Sequence, residues 1–174
     1  LSASTGMDAL AQAIESYWSV KSTTKSRFYA KRAIQYLYPN LLTCINTNSI
    51  RARRVIAKGS YFSGKAINIS FTTGPHAFSY PITTLLGLPH GHAVAITLPS
   101  FLEINSRVTI ENCNDRRGIS FVNRRMNELH KILGIQNKVN CKKQLTEYID
   151  KLFGKERNVI ITEEQWNTLC SHVN

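Results

Sequence analysis

Apolar residues recur at intervals of three and four along almost the whole of this chain, and the alternating pattern of a half-buried strand is nearly absent. That rhythm predicts an all-α fold. Met7, Leu10, Ala11, Ile14, Tyr17 and Trp18 mark an amphipathic helix over 5–19, with Thr5 as its N-cap. A second helical stretch, 24–46, carries Phe28, Ala33, Ile34, Leu37, Leu41, Leu42 and Ile45, with Pro39 placed to kink or split it. A third covers 49–69, where Ser60, Ser63, Gly64 and Ala66 are small enough to let another backbone approach closely. Further helices are predicted over 76–86, 90–102, 119–133, 141–153 and 162–173. The last opens with Thr162 and has Gln165 three residues on, the pattern of a capping box. The run 158–161 reads either as a short strand or as the lead-in to that helix.

With 174 residues, 43% of them hydrophobic, the chain can bury one real core and is read as one helical domain over 1–174. No stretch has the length and apolarity of a membrane span, and no basic flank precedes an apolar signal core, so a soluble, cytoplasmic protein is expected. Cys44, Cys113, Cys141 and Cys170 lie far apart, without a CxxC pair, and are expected as free thiols.

The net charge of +11 admits three readings: nucleic-acid binding, an anionic substrate, or a missing acidic partner. Basic residues cluster in 21–31, 51–58, 116–125 and 138–143, alternating with apolar ones at helical intervals. Solvated helix faces are the expected outcome. Zinc-finger spacing, an RNP-like aromatic run and a helix-turn-helix signature are all lacking, so nucleic acid is not expected as a partner. A basic helical nucleic-acid-binding module stands as the competing reading.

Two segments hold residues suited to chemistry. Asp8 and Gln12 are four apart and project from one helix face, and Asp8 is set among Met7, Ala9 and Leu10. A carboxylate on a packed face needs a cation or hydrogen bonds. The second segment is Gly74-Pro75-His76-Ala77-Phe78-Ser79-Tyr80 followed by Gly87-Leu88-Pro89-His90-Gly91-His92. Pro75 and Pro89 each precede a histidine and suit a helix's first turn, which puts His76 and His90 near helix N-termini. Each histidine alone reads as a buried core residue or a cap. Taken with Asp8 they form an imidazole and carboxylate set that suits Zn2+ or Fe2+. His130 and His172 are read as lying on polar helix surfaces, without a role.

The stretch from Thr5 to Tyr17, TGMDALAQAIESY, and the stretch from Pro75-His76 through Leu88-Pro89-His90-Gly91-His92-Ala93-Val94-Ala95 resemble the two signature regions of the iron-containing (group III) alcohol dehydrogenases. The resemblance covers nearly the whole chain and is loosest after about Asn105. It implies a multi-helix, dehydroquinate synthase-like C-terminal domain that binds the metal of an NAD(P)-dependent alcohol dehydrogenase or aldehyde reductase. In such enzymes an N-terminal Rossmann-like domain binds NAD(P)H. This sequence lacks a Gly-rich phosphate cradle, so that domain is read as absent and the chain alone as inactive in hydride transfer.

Carried over by position, Asp8, His76 and His90 fall at metal-ligand positions, while Gln12 stands where iron-dependent members place a further histidine. The change at position 12 leaves Fe2+ and Zn2+ both open, with the Gln12 amide available to approach the metal directly or through water. Tyr80 stands where many members have a histidine near the substrate; it reads either as a hydrogen-bond donor to the substrate oxygen or as a packed aromatic. Tyr80 and His92 are the expected catalytic residues beside the metal. The wording around 13–20, 64–68 and 75–80 most resembles phosphonoacetaldehyde reductases, which implies a small phosphonate-bearing aldehyde, with Lys65 as the candidate for its anion or else an ordinary exposed lysine. A metal-free, degenerate member serving a structural or oligomerisation role is the remaining alternative. A junction left bare by the absent domain would favour self-association.

Overall fold

The computed structural model describes residues 3–47, 49–154 and 161–171, and among them every regular element is helical. In order these are α1 (Ala3–Trp18), α2 (Thr24–Leu37), α3 (Leu41–Asn46), α4 (Ile50–Ser70), α5 (Gly74–Leu86), α6 (His90–Ser106), α7 (Ile119–Ile132), a 3-10 turn at Lys138–Asn140, α8 (Cys141–Phe153) and α9 (Glu163–Ser171). The all-α expectation holds. The run 158–160 lies outside the described residues, as does His172.

A helix that is apolar on one stripe packs on a surface, whereas one apolar most of the way round must sit inside. α1 buries ten of its sixteen residues, which makes it the central rod, and α2, α4, α6 and α7 pack around it. α6 is similarly immersed, burying residues from Gly91 to Leu102. The main core joins Met7, Leu10 and Ile14 of α1 to Ile34 and Leu37 of α2, Leu98 and Leu102 of α6, Leu129 of α7 and Ile149 of α8. A smaller cluster of Ile82, Ala93 and Leu169 ties α9 to α5 and α6.

Several boundaries follow from local chemistry. Thr23 and Ser26 form a reciprocal capping box that starts α2. Pro39 splits the 24–46 stretch: α2 stops at Leu37 and α3 starts at Leu41. Thr162 and Gln165 exchange the expected capping-box bonds ahead of α9. Thr5 is not an N-cap, because α1 already runs from Ala3, so Asp8 stands in the second turn rather than the first. His130 is buried, not exposed; its Nε2 lies 2.9 Å from Ser106 Oγ, and burial together with Lys138 lowers its pKa. The four cysteines are free thiols.

Past the end of α1, Arg117 donates to the carbonyls of Ser19 (3.2 Å), Val20 (3.1 Å) and Ser22. Asp115 accepts from the same guanidinium at 2.6 Å and is held below the usual carboxylate range by it.

Three glycines, Gly59, Gly74 and Gly91, stand where a Cβ would collide, and Gly59 and Gly91 mark close approaches between helices. A Cβ on Gly59 would stand 2.6 Å from Leu37 Cγ, so Gly59, rather than Gly64, lets α4 close on α2. A Cβ on Gly91 would stand 1.9 Å from the Ser4 carbonyl oxygen, so the start of α6 rests on the first turn of α1. Gly64 is exposed with open space around it. Gly91→Ala is therefore expected to destabilise the fold by about 1–3 kcal/mol, and Gly64→Ala to stabilise it by about 0.5–1 kcal/mol. Urea denaturation read by circular dichroism checks both, and equal midpoints for the two variants would contradict this packing.

Candidate metal centre

The contact between Gly91 and Ser4 fixes where α6 starts relative to α1, and Asp8 lies one turn along α1 from Ser4. His90 opens α6, so that contact brings its ring beside Asp8: His90 Nε2 is 3.7 Å from Asp8 Oδ1. His76 sits in the first turn of α5, after Pro75, and its Nε2 is 3.1 Å from the same oxygen. The His76 and His90 rings meet edge-on with centroids 5.4 Å apart. One donor atom from each of Asp8, His76 and His90 lies within 4.8 Å of the other two. Sequence-distant helices thus converge one oxygen and two nitrogens on a small volume.

Behind the triad stands a carboxylate that the sequence reading did not single out. Glu15 is completely buried. Its Oε1 accepts from the Thr73 N–H (2.8 Å), the Thr73 hydroxyl (3.0 Å) and the His76 N–H (3.4 Å), and its Oε2 contacts His76 Nδ1. Thr73 gives no side-chain cap to α5, so Glu15 takes the exposed amides of that helix start and sets its charge against the positive end of the dipole. It also fixes the ring: with Nδ1–H donated to Glu15, Nε2 faces Asp8. A detectable signal was present, since Glu15 follows Asp8 by seven residues, two helical turns, and so shares its face.

The α4–α5 link is fastened to α1 around this carboxylate. Trp18 Nε1 donates to Thr73 Oγ1 at 2.8 Å, Ser19 Oγ to the Ser70 carbonyl at 2.8 Å, and the hydroxyls of Ser16 and Ser70 are 2.6 Å apart. Within this link Phe71 adopts φ 58°, in the left-handed region that costs a side chain strain. The surrounding bonds hold that reversal.

Gln12 supports Asp8 rather than facing the triad independently. Its Nε2 donates to Asp8 Oδ2 at 3.1 Å, and its Oε1 accepts from Ser63 Oγ at 3.4 Å. Ser63 in turn donates to the Ala9 carbonyl at 2.7 Å. Tyr80 is 63% exposed, with its ring centroid 5.7 Å from that of His90. The cluster is therefore closed at Glu15 and open at Tyr80 and at His90, whose side chain is 39% exposed.

Two expected residues are not brought to the cluster. His92 lies two positions beyond His90, about 200° round the helix, and is buried with its ring stacked on Phe153 at 4.5 Å. Lys65 is likewise about 200° from Ser63 on α4. Ser63 faces α1, and the Lys65 ammonium lies over the Tyr29 and Tyr61 rings, 5.1 and 5.0 Å from their centroids.

Electrostatically the triad is governed by His76. Burial pushes its pKa down, but the hydrogen bonds and charges of Asp8 and Glu15 outweigh this and raise it from the ordinary 6.5 to about 9. The imidazole sandwiched between two carboxylates is thus a cation at neutral pH. A divalent ion held by the same atoms would replace the proton on Nε2. The donor set of one carboxylate and two imidazoles, with a second-sphere carboxylate already on one ring, fits such an ion.

Comparison with known proteins agrees with this architecture. The profile of the Fe-containing alcohol dehydrogenase family, C-terminal, matches residues 2–163. The phosphonoacetaldehyde reductase of Streptomyces viridochromogenes is 36% identical over 130 residues, covering 74% of this chain and 33% of that protein. The 1,3-propanediol dehydrogenase of Klebsiella pneumoniae is 34% identical over 106 residues, 60% of this chain and 27% of that protein. The crystal structure of sulfoacetaldehyde reductase from Bifidobacterium kashiwanohense in complex with NAD+ superposes with a TM-score of 0.78 at 28% identity, covering 99% of this chain and 43% of that one. An iron-containing alcohol dehydrogenase from Thermotoga maritima gives 0.76 at 27% identity, covering 99% and 43%. The chain spans a third or less of the length of these curated relatives. By profile and by fold, it belongs to the iron-containing alcohol dehydrogenase family and corresponds to the C-terminal helical domain of its members.

Proposed function

We propose that this chain binds one divalent cation, Zn2+ or Fe2+, through Asp8, His76 and His90, and that it is the metal-binding half of an NAD(P)H-dependent reductase of small aldehydes. The observation that carries the reading is the convergence of three ligand atoms, from α1, α5 and α6, within 4.8 Å. When bound, the ion supplies Lewis acidity that polarises the substrate oxygen for hydride transfer from the nicotinamide. The chain's own residues do the rest. Glu15 holds His76 in the tautomer that presents Nε2, Gln12 braces Asp8, and Tyr80 stands at the open rim beside His90, within reach of an entering molecule.

The nicotinamide cofactor belongs, on this reading, to an N-terminal domain like that of longer relatives, and the substrate meets the metal at the junction. Phosphonoacetaldehyde is the substrate we favour, supported by the 36% identity to a phosphonoacetaldehyde reductase. Sulfoacetaldehyde, named for a structural relative, also joins an aldehyde to an anionic head. Lys65 is not part of this proposal, because it points away from the metal centre, on the side of α4 opposite Ser63. Cytoplasmic location and assembly with the cofactor domain belong to the same reading.

Elemental mass spectrometry on protein loaded with zinc or iron and freed of excess is expected to find one equivalent in the parent and none in His90→Ala or His76→Ala. Equal retention by parent and variants would refute the ligand assignment, and no retention by any would favour a metal-free family member. Glu15→Gln, which keeps the shape and removes the charge, is expected to weaken metal affinity about 10- to 100-fold, measured by competition with a chromogenic chelator. Unchanged affinity would deny Glu15 its orienting role.

The raised pKa of His76 sets a pH dependence for the metal-free protein. A group raised in the folded state stabilises fully below its unfolded pKa, here the ordinary 6.5, and that contribution is lost as pH rises through about 9. The midpoint of thermal unfolding in chelator is therefore expected to fall between pH 6.5 and 9, and to fall less in His76→Gln. Parallel curves for the two proteins would show that His76 is not the titrating group.

A further inference from the structure

From Ser16 to Leu102 the sequence contains no Asp or Glu, while the same interval holds ten lysines and arginines. The fold gathers most of them onto one face. α2 and α4 form the most extensive helix pair in the molecule. Lys58 of α4 lies over Tyr36 of α2, 5.6 Å from its centroid, and Lys65 lies over Tyr29, so the two helices run antiparallel with their outer faces side by side. On α4, Arg54, Lys58, Tyr61 and Lys65 are spaced by four, three and four, a single stripe about 16 Å long. On α2, Lys25, Phe28, Arg32 and Gln35 make the matching stripe.

Between the stripes lies a floor of rings. Phe62 stacks with Tyr29 at 6.1 Å and with Tyr36 at 6.0 Å and 8°. Above that floor Phe28 is 54% and Tyr61 60% exposed, each with a cation over its face: Arg32 at 5.8 Å from Phe28 and Lys65 at 5.0 Å from Tyr61. Phe28, Lys31, Arg32 and Gln35 line a depression of about 310 Å3. Lys25, Lys31, Arg32, Arg54, Lys58 and Lys65 have no carboxylate partner among the described residues; the nearby Asp115 and Glu128 are committed to Arg117 and Arg125.

Solvation alone accounts for scattered charges, but not for two aligned basic stripes that each carry a half-exposed ring. Cations track a phosphate backbone, and ring faces accept bases by stacking. An anionic bilayer takes up the apolar face of an amphipathic helix, whereas the apolar faces of α2 and α4 are buried in the core; on the outer stripes the large exposed apolar groups are the rings Phe28 and Tyr61 and, at the very start of α4, Ile50. We propose that the outer face of α2 and α4 binds single-stranded nucleic acid, with phosphates on the Lys/Arg stripes and bases stacked on Phe28 and Tyr61. This surface is independent of the metal centre, since α4 turns Ser63 toward α1 and Lys65 away from it.

Fluorescence anisotropy with a short labelled oligothymidylate, run on the purified chain with sodium polyphosphate and phosphatidylserine vesicles as comparison ligands, tests this. The expected result is binding of the oligonucleotide whose log affinity falls linearly with log salt, by about 0.7 for each phosphate neutralised. Phe28→Ala and Tyr61→Ala should each weaken it about tenfold and leave polyphosphate binding unchanged, whereas Arg32→Glu and Lys65→Glu should weaken both. All four positions are exposed, and circular dichroism melts establish that the variants fold. The proposal is overturned if the oligonucleotide does not bind, if the ring variants bind it as the parent does, or if the vesicles bind more tightly than the oligonucleotide.

Discussion

The structure turns on one buried negative charge. Glu15 lies in the middle of the central helix, fully shielded from water, where a carboxylate without partners would cost several kcal/mol. Its partners are the start of α5 and the His76 ring, and through them it does three things at once. It caps a helix that has no cap of its own, it fastens the α4–α5 link to α1, and it chooses which imidazole nitrogen faces Asp8. Stability and ligand geometry are therefore the same set of bonds, and any change that loosens the capping also turns His76.

The triad inherits its asymmetry from this arrangement. On the Glu15 side it is dry and fully bonded; on the Tyr80 side it meets solvent. Gln12 sits between these extremes, its amide divided between Asp8 and Ser63. A histidine at that position would offer a further nitrogen. The glutamine instead donates to the Asp8 carboxylate and steadies it.

Much of this was legible in the sequence, because helical periodicity is a local property. The helices, the split at Pro39 and the Thr162 capping box needed little beyond the residues themselves. What failed was whatever depended on the other side of a contact. Thr5 looked like a cap because the helix-permissive Ala3 and Ser4 ahead of it gave no stop signal, and α1 continued through them. His130 looked exposed among Asn127, Glu128 and Lys131, yet α6 and the 3-10 turn cover it. Of the small residues on α4, Ser63 and Ala66 do pack inward, but Gly64 meets open space, and it is Gly59, five residues earlier, that faces Leu37. Lys65 seemed close to the ligand loop along the chain, but helical rotation sets it on the opposite side from Ser63. Glu15 was hidden by the habit of reading a helical glutamate as solvated, although its neighbours Ile14, Ser16 and Tyr17 are all buried.

The ties on α1 and on Ser19 just past its end share one further property. Ala9 is held by a serine 54 residues away, Glu15 by a threonine 58 away, Asp8 by a histidine 68 away, Ser19 by an arginine 98 away and Tyr17 by a glutamate 111 away. Loop-closure entropy must be met before such contacts return anything. As the chain leaves the ribosome, the most deeply buried rod of the fold thus emerges well before its polar anchors. Through that interval an oily helix waits for company, and its protection from aggregation during synthesis depends on how soon α4 through α7 arrive.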